Sequence, residues 1–98
     1  MPDFDLAERF TQHVDNRAYP KTLCPSEIAR SLSATELRDL GVSSWRELMP
    51  QLREMAFEAR SNGQVEILQR GEVIPSEHGL DDVRGPIRIR KAHGAGDN

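Results

Sequence analysis

Cysteine is nearly absent from this chain: Cys24 stands alone among 98 residues. No internal disulfide can form, so a reducing cytoplasm is the expected setting. Aromatic residues are also scarce, at 5% of the chain, which leaves few rings for stacking on bases. No apolar run approaches the roughly 20 residues that a membrane span requires, so no membrane partner is expected. Met1-Pro2-Asp3-Phe4-Asp5 lacks the charged-then-apolar order of a secretory leader. Basic residues are not in excess either. Lys and Arg number 13 against 16 Asp and Glu, for a net charge of −3. A dedicated nucleic-acid domain is usually basic, so this balance counts against that role while leaving room for a local basic patch.

Catalytic and metal-binding patterns are missing as well. His13, His78 and His93 are scattered without metal-ligand spacing. No glycine-rich phosphate loop follows a strand, and no serine sits in a nucleophile-elbow setting. The expectation is a protein that is not an enzyme and carries no cofactor or metal. Cys24 would head a helix, where a thiol can become reactive. Without a neighbouring histidine or a second cysteine, a part-buried structural role is expected.

What is present is helical periodicity followed by strand alternation. Leu6, Phe10 and Val14 give one helix an apolar face, starting near Asp3 or Asp5 and ending about Asp15. Asp5 with Glu8 resembles a capping box. Asn16 to Pro20 is a break, and Lys21-Thr22-Leu23 reads as a short strand. A second helix opens at Cys24-Pro25-Ser26-Glu27, with proline at a position where its missing N–H costs nothing. Ile28, Ala29 and Leu32 form its buried face. Ser33-Ala34-Thr35-Glu36 predicts a separate short helix from Ala34 to Leu40, stopped by Gly41. Ser44-Trp45-Arg46-Glu47 predicts the start of a long helix that stops at Asn62-Gly63. Its core face is Trp45, Leu48, Met49, Leu52, Met55, Ala56 and Ala59. Pro50 is out of place in a helix interior and implies a distorted first turn. Val65-Glu66-Ile67 and Ile87-Arg88-Ile89-Arg90 then alternate as half-buried strands. Between them, Gly71 to Gly85 is a polar loop, long for a hairpin and expected to be mobile. The tail, 92–98, is expected to be disordered, leaving residues 1–91 as one domain.

These elements predict an α+β fold of the winged helix-turn-helix class. Three to four helices precede a two-stranded β-hairpin, the wing, and the short strand before helix two would make a third. Cys24-Pro25-Ser26-Glu27-Ile28-Ala29-Arg30, Trp45-Arg46-Glu47-Leu48-Met49-Pro50 and Gly85-Pro86-Ile87-Arg88-Ile89-Arg90 together resemble a small bacterial family, domain of unknown function 3253. The resemblance covers about residues 5–91. It implies a winged-helix domain in a bacterial cytoplasm and carries no activity with it. The segment Ser33 to Ser44 departs from it, being longer than the expected link to the tryptophan.

Two arginine strips bear on function. On the long helix, Arg46 and Arg53, with Arg60, line one flank of the core face. Arg84, Arg88, Arg90 and Lys91 form a second strip in and beside the wing, with Arg88 and Arg90 on one face of a strand. All six named candidates, Arg46, Arg53, Arg84, Arg88, Arg90 and Lys91, would grip phosphates of duplex DNA. Against this, Glu47, Glu54 and Glu58 occupy the side opposite the core, where a recognition helix would meet the duplex. Arg70, Arg84, Arg88, Arg90 and Lys91 are also balanced by Glu66, Glu72, Glu77, Asp81 and Asp82, so residues 64–91 are neutral as a unit. Strand arginines pairing with nearby glutamates is the plainer alternative. The first functional expectation is a DNA-binding regulator. The second is a protein–protein interaction or dimerisation module, with Phe57 and Trp45 as aromatic anchors or as packing. A continuous positive surface joining Arg46, Arg53, Arg88 and Arg90 would decide for DNA.

Overall fold

In the first helix, every fourth side chain is apolar, and those side chains face inward. A computed structural model of the chain describes residues 5–92. Helix α1 spans Leu6–Asn16 and buries Leu6, Phe10 and Val14. Asp5 caps it by accepting from the Ala7 N–H at 3.0 Å. Asp3, the other expected start, lies outside the described residues. Strand β1, Thr22–Leu23, follows the break within the expected Lys21-Thr22-Leu23 segment. Helix α2, Pro25–Arg30, places proline at its first position. Helix α3, Ala34–Asp39, opens on the expected capping box: Ser33 Oγ accepts from the Glu36 N–H, and Glu36 Oε1 accepts from the Ser33 N–H, at 3.1 and 2.9 Å. Gly41, at φ 77°, closes it: Gly41 N–H donates to the Arg38 carbonyl and Val42 N–H to that of Leu37.

The long helix starts later than its sequence suggests. Trp45–Leu48 is a 3-10 turn, and helix α4 spans Met49–Ser61. Pro50 therefore falls in the first helical turn, where no hydrogen bond is lost. The second capping box does not form as a box. Ser44 Oγ accepts from the Arg46 N–H, while the Glu47 carboxylate turns back to the Ser43 N–H and hydroxyl. Glycine again ends the helix, with Gly63 at φ 78° and Gln64 N–H reaching the Ala59 carbonyl.

Strand β2 spans Val65–Gln69, β3 spans Glu72–Val73 and β4 spans Arg88–Lys91. The sheet is antiparallel, in the order β1-β4-β2-β3. Among the described residues the architecture is α+β, four helices and a four-stranded sheet. The β2–β4 pairing sets Ile67 opposite Ile89 and Glu66 opposite Arg90, as the matched alternation of the two strands requires. One strand departs from the expected two-stranded wing. β3 folds back on β2 through a two-residue turn, Arg70-Gly71, both residues at positive φ (53° and 82°). This is the primed turn that matches strand twist, and Gly71 makes it accessible. The long loop thus begins after β3 and runs to β4, with a 3-10 turn at Leu80–Asp82.

Ile67, Ile89 and Leu23 face the helices and are fully buried, with Leu52, Ile28, Phe10, Leu48 and Ile87 packed in the same cluster. Trp45 and Met55, expected inside, are half-buried at its margin. Phe57 is buried at 6% exposure, so it packs and does not project as an anchor. Ala92, the first residue of the expected tail, donates its N–H to the Gln64 carbonyl. The rest of that tail lies outside the described residues.

The polar counterpart of this core is Glu27. Its Oε2 accepts from the Cys24 N–H at 2.9 Å, capping α2, and its Oε1 accepts from Arg17 at 2.7 Å. Arg17 also donates to the Thr22 carbonyl at 2.6 Å, and Arg88 lies 3.7 Å from Glu27 Oε2. The Cys24 backbone bond, with the Arg17 guanidinium, holds the Glu27 carboxyl below its ordinary range despite partial burial.

Two outcomes follow from this packing. Leu52→Ala, at a fully buried site, is expected to cost about 2–5 kcal/mol in a denaturant titration; a loss near zero would sink the core assignment. A lowered folded pKa makes Glu27 stabilising above its ordinary value of 4.5, and the contribution fades as pH falls through the lowered value. Glu27→Gln should therefore flatten the acid limb of the stability curve and cost about 1 kcal/mol at neutral pH. Unchanged acid sensitivity in denaturation at several pH values would contradict it.

Candidate functional site

A phosphate-gripping surface needs cations whose side chains are not already engaged. Most of the candidates in this chain are engaged. Arg53 reaches from α4 to the far end of the long loop, donating to the Val83 and Gly85 carbonyls at 2.5 and 2.8 Å. Arg60, one flank position further on, donates to the His78 carbonyl at 2.7 Å and lies over the Phe57 ring. Both therefore strap the loop to the helix. Arg90 chelates Glu66 Oε1 through Nε and Nη2, and its guanidinium lies 5.0 Å from the Tyr19 ring centroid. Arg88 donates Nε to Thr22 Oγ1 at 2.6 Å, though its side chain is still half exposed. Lys91 donates to the Asp15 carbonyl at 3.2 Å. Arg46 is exposed and stacks on Trp45 at 4.6 Å. Arg84 is exposed, and among the described residues its backbone carbonyl is engaged, by Gln69 Nε2 at 2.6 Å.

These positions do not merge. Arg88 and Arg90 stand on the sheet face that also carries Glu66, directly opposite Arg90 in register. Arg53 is turned into the loop. Beside the arginine flank, the side of the helix opposite the core carries Glu47, Gln51, Glu54 and Glu58, all exposed. Ser43 hydroxyl and backbone donors hold the Glu47 carboxyl below its ordinary range. The pairing of strand arginines with nearby glutamates, the plainer alternative, is present in the Arg90–Glu66 pair.

The arrangement does build one groove with basic walls. Leu68 pairs with Val73 on β3 and with Arg88 on β4, so these three side chains share the sheet face turned away from the helices. Leu68 is buried there although it lies outside the main core, and Val73 is 45% exposed. Arg70 and Arg84 line the same groove from the hairpin turn and from the loop's end. Gln69 fixes the loop's end by donating to both the Arg84 and Pro86 carbonyls. Glu72 supplies one acid against three arginines. Sequence reading missed Arg70, Leu68 and Val73 as a unit. The available signal was an Arg-Gly pair between Val65-Glu66-Ile67-Leu68 and Glu72-Val73-Ile74, the spacing of a two-residue hairpin.

Cys24 is half-buried and accepts from the Ser26 hydroxyl at 3.1 Å. His13 and His78 lie on separate elements, and among the described residues no group of histidine, cysteine and carboxylate side chains could hold a metal ion. No helix of the described residues is long and apolar enough to cross a membrane.

The straps predict a measurable effect. Arg53→Ala should raise amide exchange across residues 82–87 by more than anywhere in α4, at a stability cost on the order of 1 kcal/mol. Exchange unchanged in that segment would show that Arg53 does not hold the loop.

Comparison with known proteins places the chain. A family model described as Protein of unknown function (DUF3253) matches residues 3–92. No curated protein matches the chain.

Proposed function

The chain belongs to the DUF3253 family, and we propose that it is a winged-helix-like, non-catalytic binding module that engages another protein and not duplex DNA. The observation that carries this reading is the commitment of arginines to the fold's own carbonyls and carboxylates. Arg53, Arg60, Arg88, Arg90 and Lys91 each hold an intramolecular partner. A duplex would have to break these bonds to gain phosphate contacts, and each broken bond subtracts from the gain. The helix that a winged helix would lay in the major groove presents glutamates instead. Three carboxylates facing phosphates repel at the range where base contacts form. The net charge of −3 points the same way. A cytoplasmic setting fits the single, unpaired cysteine.

One observation favours the DNA reading: Arg46 and Arg84 keep exposed side chains, at the head of the long helical segment and in the wing. A titration separates the two. Wild-type protein should show no binding to a random duplex by fluorescence anisotropy, even at low ionic strength. Glu54→Lys with Glu58→Lys should create weak, salt-sensitive binding, because only the acidic face is changed. Wild-type binding with log K falling linearly in log salt, and weakened by Arg46→Ala with Arg84→Ala, would restore the DNA reading.

A further inference from the structure

We propose that the groove between β3 and the 84–88 segment is the docking site for a short, extended, acidic peptide segment of a partner protein. This rests on the interaction-module reading and names its surface and partner class. The groove carries a charge of opposite sign to the whole molecule. Arg70, Arg84 and Arg88 line it against the single carboxylate of Glu72, in a chain of net charge −3. Arg70 and Arg84 are exposed, and neither guanidinium holds the loop or the sheet together. They are therefore available where Arg53 and Arg60 are not. Guanidinium groups suit planar carboxylates, which they bind through paired donors.

The floor supplies the second element of recognition. Leu68 is 5% exposed and Val73 is 45% exposed, side by side on the outer sheet face. A valine left open beside a buried leucine offers a seat for one apolar side chain between flanking acids. β3 is also an edge strand. Gln69 and Glu72 flank a two-residue turn and form the hydrogen-bonded pair of the hairpin, and Ile74 N–H again bonds back to the Ile67 carbonyl at 2.8 Å. By the alternation of an antiparallel ladder, the Val73 N–H and C=O between them point away from β2. That free edge faces outward, away from the groove over β2, so a peptide lying in the groove is held by side chains: its carboxylates by the arginines and its apolar side chain by Val73.

Two other occupants fit less well. A nucleic-acid strand needs a run of cations and stacking rings. Here the floor is aliphatic, and Glu77, Asp81 and Asp82 lie exposed in the adjoining loop. A second copy offering its acidic α4 face presents a surface on the helix side of the sheet, opposite the groove. That contact is head-to-tail and propagates without closing.

The test uses the full chain and three probes: a fluorescent peptide of alternating glutamate with a central leucine, the same peptide with glutamine for glutamate, and a single-stranded 20-mer DNA. Binding of the acidic peptide, with amide shifts confined to residues 68–74 and 84–88, is the expected result. Arg70→Ala with Arg84→Ala should weaken it about tenfold or more, while Arg38→Ala, an equal loss of charge per site elsewhere, should not. Equal binding of the glutamine peptide, equal loss with Arg38→Ala, or shifts centred outside the groove would overturn the proposal. No binding of either peptide, with none of the DNA, overturns the groove and leaves the interaction-module reading standing. DNA binding tighter than the acidic peptide, lost in the Arg70/Arg84 variant, overturns both.

Discussion

The Glu27 carboxylate is where four separate parts of the chain are tied together. It caps α2 through the Cys24 N–H, anchors the end of α1 through Arg17 and faces Arg88 at the start of β4. Arg17 and Arg88 both turn also to Thr22, so β1 is held to its neighbours by side chains as well as by its ladder. A two-residue strand has too few ladder bonds to define its own position. The polar cluster supplies what the strand cannot, and it does so at the margin of the core, where the carboxylate keeps partial access to water. Full burial of such a network would carry a desolvation cost that its geometry would have to repay. At this depth the network orients and the apolar cluster beneath it stabilises.

Arginine has the corresponding role at the other end of the molecule. The loop over 74–87 between β3 and β4 anchors its far end in the core through Val83 and Ile87, and its backbone carbonyls need partners as well. Arg53 and Arg60, seven positions apart and so on one flank of α4, each reach backbone carbonyls of that loop. Gln69 holds the returning chain just before β4. Carbonyl acceptors in an irregular segment have no regular partner, and long side chains with several donors can satisfy two at once. The spacing that suggested a phosphate-binding strip is thus the spacing of a strap. Both uses need cations at seven-residue intervals on a helix flank, and periodicity alone does not separate them.

This difference marks how far the sequence could be read. Helix faces, the strand pairing and the stops at Gly41 and Gly63 were legible because each depends on local chemistry. Apolar spacing fixes a face, and a glycine that tolerates positive φ ends a helix. The α3 capping box formed as its residues require, since both partners lie within one turn. The similar pattern at Ser44 did not, because Ser43 competes for the same Glu47 carboxylate and Pro50 resets the helix start. The β3 hairpin went unread because its turn uses arginine at positive φ before glycine, a weaker signal than asparagine or aspartate there. The fate of each arginine was not legible at all. Arg53 is engaged because a loop carbonyl lies within its reach, and that is set by chain 30 residues away in sequence.

Sorting the arginines by what they hold therefore does more for function than counting them. Those bonded to backbone or to Glu66 and Glu27 belong to the fold, and their substitution would disturb a loop or a strand. Arg70 and Arg84 hold neither, yet the hairpin turn and the Gln69 bonds fix the backbone on which they stand. A side chain presented from fixed backbone loses less entropy on binding than one on a free loop. The chain spends its other cations on making that backbone rigid. The acidic α4 face then sets the sign of what can approach from the other side, so the domain has two faces of opposite charge separated by one sheet. A short acidic segment meets only the face that attracts it.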